Sequence, residues 1–254
     1  MDCLLAGVDV LIHMAGTSVK RPLPEVIENN LVGLHAICEG ARRHRVRRIV
    51  LASSNHAIGV HGVGDRLELD CGFRPDGFYG LSKMWGEGLA RLYWDKHGIE
   101  GVCVRIGSAV PRPTEMRHLS IWFGLDNLLD FILRCIDTPE VGFLVAWGVS
   151  ANTRSYWSPT SCERLVGDHP KQNAENFAAA SSKAAASPTS TSRNRNTGTR
   201  QEKHGTEGKH HEGNTRAALV HPGAGRPGDR GQLHRPQHPR RPGAATENRA
   251  LIHD

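Results

Sequence analysis

Arg47-Arg48-Ile49-Val50-Leu51-Ala52 is a short run rich in β-branched and aliphatic residues, and it passes without a turn into Ser53-Ser54-Asn55-His56. A run that is apolar at successive positions has no solvated face. It reads as a strand covered on both sides, which is the environment of a parallel sheet between two helical layers. The polar cluster then falls at the carboxyl end of that strand, where open α/β sheets hold their ligands. Two other runs have the same form. Val8 to Met14 ends in Ala15-Gly16-Thr17-Ser18, Gly101 to Ile106 ends in Gly107-Ser108, and Gly142 to Trp147 is a further strand candidate. The expected fold class is therefore α/β, with a doubly wound parallel sheet.

Pro75, Asp76 and Gly77 make a turn, and Tyr79 to Lys96 is predicted to be a helix with apolar positions at Leu81, Met84, Leu89, Leu92 and Tyr93. Tyr79 and Lys83 are four residues apart and share one face. A phenol with an ordinary pKa of about 10 is a poor base at neutral pH, but a neighbouring ammonium favours the phenolate. The pair can act as a tuned proton acceptor. Tyr-x-x-x-Lys alone would equally describe two surface side chains; its position downstream of Ser53-Ser54-Asn55-His56 gives it chemical meaning.

The order of strand, Ser-Ser, turn and Tyr-x-x-x-Lys resembles the extended short-chain dehydrogenase/reductases, the NAD-dependent epimerase/dehydratase family. Ala52-Ser53-Ser54-Asn55-His56, Tyr79-Gly80-Leu81-Ser82-Lys83, Arg105-Ile106-Gly107-Ser108, Met116-Arg117 and Ser150-Ala151-Asn152-Thr153 with Trp157 are similar, within that family, to the uronate dehydrogenases. The similarity covers roughly residues 4 to 157 and returns faintly between 170 and 178. It implies oxidation of C1 of a hexuronic acid, galacturonate or glucuronate, to an aldonolactone with NAD. Tyr79, Lys83 and Ser54 would be catalytic. His13, Met14, Ala15, Gly16, Thr17, Lys83 and Ala109 would line the cofactor. Ser18, Ser54, Asn55, His56, Ser108 and Arg117 would bind the sugar acid, with the Arg117 guanidinium gripping the carboxylate. Asn30, in Asn29-Asn30-Leu31-Val32-Gly33, would support the active-site end of the sheet.

The resemblance also implies a first β-α-β-α-β stretch ahead of Val8, carrying a glycine-rich turn for the pyrophosphate. The expected fold is accordingly a partial Rossmann-type sheet lacking that stretch, with an unpaired edge at Val8–Met14 and weak NAD binding. A non-catalytic fragment from a truncated or frameshifted gene is one alternative. A sugar-nucleotide epimerase or dehydratase is another.

Pro22 and Pro24 lead into a predicted helix over 25–43 with Ile27, Leu31, Leu34, Ile37 and Cys38 inside. Arg42, Arg43, Arg45, Arg47 and Arg48 read as a solvated helix end. Charge is uneven: residues 1–182 hold 19 Lys and Arg against 20 Asp and Glu, and residues 183–254 hold 13 against 6. The basic pI of 9.2 therefore belongs to the tail and does not indicate a nucleic-acid groove. Two segments are expected, a 1–180 cofactor-binding domain and a 181–254 low-complexity tail. The tail, rich in Ser, Thr, Gly, Pro and Arg, is expected to be disordered. Its Gly223-Ala224-Gly225-Arg226-Pro227-Gly228 matches a dinucleotide fingerprint in letters only, because Pro227 falls where the helix would start. Six dispersed cysteines without a Cys-x-x-Cys argue for reduced thiols, no metal site and a cytoplasmic protein that acts on a small molecule without nucleic acid or membrane, with homo-oligomers left open.

Overall fold

In a computed structural model, five parallel strands form one sheet in the order β4-β3-β2-β1-β5. Residues 2–18, 21–62, 66–158, 167, 169–179, 181 and 250–253 are described. Contacts divide the chain into one unit of Met1–Pro188 with Pro242–Asp254, and a second of Thr189–Arg241 that lies outside the described residues. The 223–228 glycine motif lies outside them too, as does the disorder expected beyond 181, residues 250–253 apart.

The chain runs α1 (Asp2–Leu5), β1 (Val10–His13), α2 (Leu23–Val26), a π-helical turn (Ile27–Val32), α3 (Gly33–Arg43) and β2 (Arg48–Ser54). A 3-10 turn (Asn55–Ile58) precedes α4 (Phe78–His97), β3 (Glu100–Ile106), α5 (His118–Ile121), α6 (Leu125–Asp137) and β4 (Phe143–Gly148). A last 3-10 turn (Ala174–Phe177) and β5 (Ala250–His253) complete the elements.

Alternation along the strands explains the layers. Leu11, Ile49, Leu51 and Cys103 pack with Leu34, Ile37 and Cys38 of α3 and Leu89, Ala90 and Tyr93 of α4. Val10, Ile12, Val50, Val102 and Val104 face the other way, onto Phe131, Ile132 and Cys135 of α6. Successive side chains on a strand point to opposite faces, so an uninterrupted apolar run serves both layers at once.

Four features differ from the sequence reading. The helix predicted over 25–43 is interrupted by the π turn, which rotates the chain so that Asn30 turns inward while Ile27 is 41% exposed. On α4, Leu81 and Leu92 face outward, and Ser82, Lys83 and Glu87 are buried in their place. Arg48 is no solvated residue: fully buried, it donates to Glu100 Oε2 at 2.7 Å and to the Cys135 carbonyl. This buried pair ties the amino ends of β2 and β3 together under α6. Finally, the backbone of 250–253 pairs in parallel with β1, from Val10 with Ala250 to His13 with His253. The edge expected to be bare is covered by this segment.

Gly80 permits a close approach of α4 to the turn after β2, because a methyl there would collide with the His56 carbonyl oxygen. Gly88, also on α4, would meet nothing. Gly80→Ala is expected to lose about 2 to 3 kcal/mol of stability in urea denaturation. Gly88→Ala should gain about 0.5 to 1 kcal/mol, since the helix loses less backbone entropy.

Candidate active site

β2 and α4 meet at the carboxyl end of the sheet because the inward face of α4 is polar. Lys83 Nζ donates to the Ala52 carbonyl oxygen at 2.7 Å. Ser53 Oγ donates to Glu87 Oε1 at 2.6 Å. Tyr79, one turn before Lys83, has a side-chain hydrogen bond with Ser54. The helix thus meets three successive residues of the strand with groups spaced four apart.

Electrostatics at this junction are governed by burial. The Lys83 ammonium is pushed down to about 8 by loss of solvent. Burial also pushes the Tyr79 phenol above its ordinary range, and the Ser54 hydrogen bond draws it partly back. Lys83 Nζ lies 5.4 Å from the Tyr79 ring centroid. The sequence reading expected the ammonium to lower the phenol; here desolvation raises it, and the opposing influence is the Ser54 hydrogen bond.

Below Glu87 the polar contact continues. Arg105 on β3 clamps Glu87 through both carboxylate oxygens, each at 3.0 Å, with both side chains 3% exposed. The guanidinium also lies over Phe73 and Trp147, so a rigid cation is held between two aromatic faces. Glu87 follows Lys83 by one helical turn, and that spacing was the available signal for it.

The loop after β1 is fixed from the π turn. Asn30 Oδ1 accepts from the Thr17 amide at 2.7 Å, and Nδ2 donates to the Thr17 carbonyl and to Ser82 Oγ, both at 2.9 Å. Gly16, at φ +142°, leaves room for it: a methyl would sit 2.9 Å from Asn30 Oδ1 and 3.9 Å from Lys83 Nζ. The sequence-derived cofactor residues Ala15, Gly16 and Thr17 are therefore held against the lysine. His13 closes β1, buried, and Met14 packs on the α6 side of the core. Ala109 is exposed beyond β3. Among the described residues no glycine-rich turn opening a helix offers a pyrophosphate cradle, and no cluster of three metal-ligating side chains occurs.

Beside Tyr79 lies a cavity of about 310 Å³, lined also by Ser18, Arg21, His56 and Asp76. His56 Nδ1 is 2.8 Å from Asp76 Oδ2, and its ring stands edge-on to Tyr79 at 5.5 Å. Asn55 accepts from Ser54 Oγ at 3.3 Å. Arg117 does not line this cavity; it is 60% exposed and paired with Glu115 at 2.6 Å. Ser108 is buried, its backbone bonded to Ile121 and Phe123. Sequence reasoning missed Asp76, read only as part of a turn, and His118, whose Nδ1 accepts from the Thr114 and Glu115 amides at 3.1 and 3.3 Å in the segment that carries Arg117. A larger cavity of about 590 Å³ beyond β4 is lined by Asn152, Tyr156 and Trp157, but by none of Tyr79, Lys83 and Ser54.

The profile of the NAD dependent epimerase/dehydratase family matches residues 2–121. A uronate dehydrogenase of Agrobacterium fabrum is 44% identical over 177 residues, 70% of this chain and 66% of that protein. A uronate dehydrogenase of Pseudomonas syringae is 42% identical, over 69% of this chain and 64% of its own. The chain thus spans just under two thirds of the length of these curated relatives. Among solved structures, uronate dehydrogenase from Agrobacterium tumefaciens superposes with TM-score 0.69 at 42% identity, covering 72% of this chain and 68% of that one. Glucuronic acid dehydrogenase from Chromohalobacter salexigens gives 0.69 at 36%, with the same coverage.

Two stability measurements probe the junction. Glu87→Gln leaves the Arg105 charge buried without its counter-ion, and should cost about 3 to 5 kcal/mol in urea denaturation. Lys83 is lowered to about 8 in the fold from 10.5, so its burial penalty is full below pH 8 and fades as pH rises to 10.5. Stability of the wild type relative to Lys83→Met should therefore increase across that window, by at most roughly 1.4 kcal/mol per pH unit.

Proposed function

The chain belongs to the NAD-dependent epimerase/dehydratase family, and from that membership we propose that it is an oxidoreductase of the uronate dehydrogenase type, acting on C1 of galacturonate or glucuronate in the ring form. The observation that carries this reading is the convergence of Tyr79, Lys83 and Ser54 at the carboxyl end of β2, beside a cavity that Ser18 and His56 also line. NAD, when bound, supplies the hydride acceptor. Lys83 and the 15–17 loop would hold its nicotinamide ribose. Ser54 orients the C1 hydroxyl, the charge of Lys83 stabilises Tyr79 as the phenolate, and that phenolate takes the hydroxyl proton and becomes the neutral phenol as the hydride leaves C1.

Arg117 is the proposed anchor of the substrate carboxylate. Its guanidinium already holds the Glu115 carboxylate, and 60% exposure leaves it free to exchange that partner for another of the same chemistry. The reading extends to location. Four free cysteines among the described residues, three of them buried, suit a reducing cytoplasm. No helix among those residues is long and apolar enough to cross a membrane.

Assay of the purified chain with galacturonate and glucuronate, each with NAD and with NADP, tests the proposal, with UDP-sugars as the counter-substrates. Turnover of a free uronate with NAD is expected, and Tyr79→Phe should lower kcat by about 10² to 10⁴-fold. Turnover of UDP-sugars alone, or no turnover of either class, would overturn it.

A further inference from the structure

Asp76 lies outside every motif the sequence singled out, yet it touches the one imidazole on the wall of the Tyr79 cavity. Its Oδ2 is 2.8 Å from His56 Nδ1. The backbone is arranged to keep it there: the Asp76 amide donates to the His56 carbonyl at 3.3 Å, and a methyl at Gly59 would strike the carboxylate itself. Both side chains line the cavity, exposed by 31% and 35%. A carboxylate only accepts, so Nδ1 must carry the hydrogen. The nitrogen left for a ligand is Nε2, and in the neutral ring it is an acceptor.

We propose that Asp76 is a positioning residue that locks His56 as the Nδ1–H tautomer, so that Nε2 reads a sugar hydroxyl as a hydrogen-bond donor. The same carboxylate gives this wall a negative charge, because the cation beside it, Arg21, has Glu25 as its own partner at 3.5 Å. A uronate therefore enters with a hydroxyl edge towards His56 and Asp76 and its carboxylate turned away. This deepens the proposed activity and rests on it for the identity of the substrate.

The test compares wild type with Asp76→Ala and Asp76→Asn. Long-range proton–nitrogen spectra of the ¹⁵N-labelled chain, with His56→Gln to identify the signals, report the tautomer without turnover. His56 should be Nδ1–H in wild type and in Asp76→Asn, whose side-chain carbonyl still accepts, and should shift towards Nε2–H in Asp76→Ala. With galacturonate, Asp76→Ala should raise KM about tenfold or more, the size of one lost hydrogen bond, with kcat and the KM for NAD changed by less than about threefold. Asp76→Asn should restore most of that loss. An Nε2–H wild type, or equal KM values in wild type and Asp76→Ala, would overturn the proposal. A wild type without uronate turnover would overturn the proposed activity instead, and the spectra would still decide the tautomer.

Discussion

The structure depends on α4 presenting its polar face to the end of β2. Burying an amine, a carboxylate and a phenol on one helix is costly unless each finds a partner. Here the partners are consecutive along the strand, the Ala52 carbonyl, Ser53 Oγ and Ser54. A slip of one residue would turn the helix by about 100° and strand all three groups, since a helical turn is 3.6 residues. The constraint that makes this junction expensive also fixes its register. Gly80 completes it by letting the first turn of α4 lie against the His56 carbonyl.

The opposite end of the sheet solves a different problem by different means. Arg48 and Glu100 are buried at the amino ends of β2 and β3, with the guanidinium also donating to the Cys135 carbonyl of α6. Neither residue lines the two cavities described above, and the further partners of Glu100, the Arg47 guanidinium at 3.2 Å and the Gly142 amide at 3.3 Å, lie at the same end of the sheet. At the carboxyl end, Arg105 and Glu87 form an equally buried pair, but Glu87 keeps one further bond, to Ser53, beside the serine that meets Tyr79. The first pair closes the core. The second transmits its rigidity to the site.

The sheet was legible because apolar runs such as Ile49–Ala52 leave no solvated face, and the boundaries of β2, β3 and β4 fell within a few residues of expectation. The placement of Tyr79, Lys83, Ser54 and Asn30 at one end of the sheet was legible through motif order and resemblance. The burial of α4 was not. Hydrophobic periodicity favours Leu81 and Leu92 for the inside, whereas the end of β2 offers an acceptor to Lys83 and a donor to Glu87, and Asn30 of the π turn offers a donor to Ser82. The π turn was equally invisible, since no residue type signals one extra position per turn; its effect appears only in where Asn30 points. Arg48 was misread because five arginines in seven positions look like a solvated cluster, and its buried partner Glu100 is distant in sequence.

The displaced ionisations of Tyr79 and Lys83 can be reconciled with the expectation of a tuned pair. Each group alone resists its charged form, since burial pushes the phenol up and the ammonium down. A phenolate and an ammonium formed side by side offset part of that cost, because attraction between them strengthens in the same poorly solvated surroundings. The lysine therefore acts less by shifting a resting tyrosine than by making negative charge on Tyr79 conditional on positive charge beside it. That distinction separates this cavity from the larger one beyond β4: volume alone gives a ligand room, whereas a buried phenol whose negative charge needs the ammonium beside it gives a proton somewhere to go.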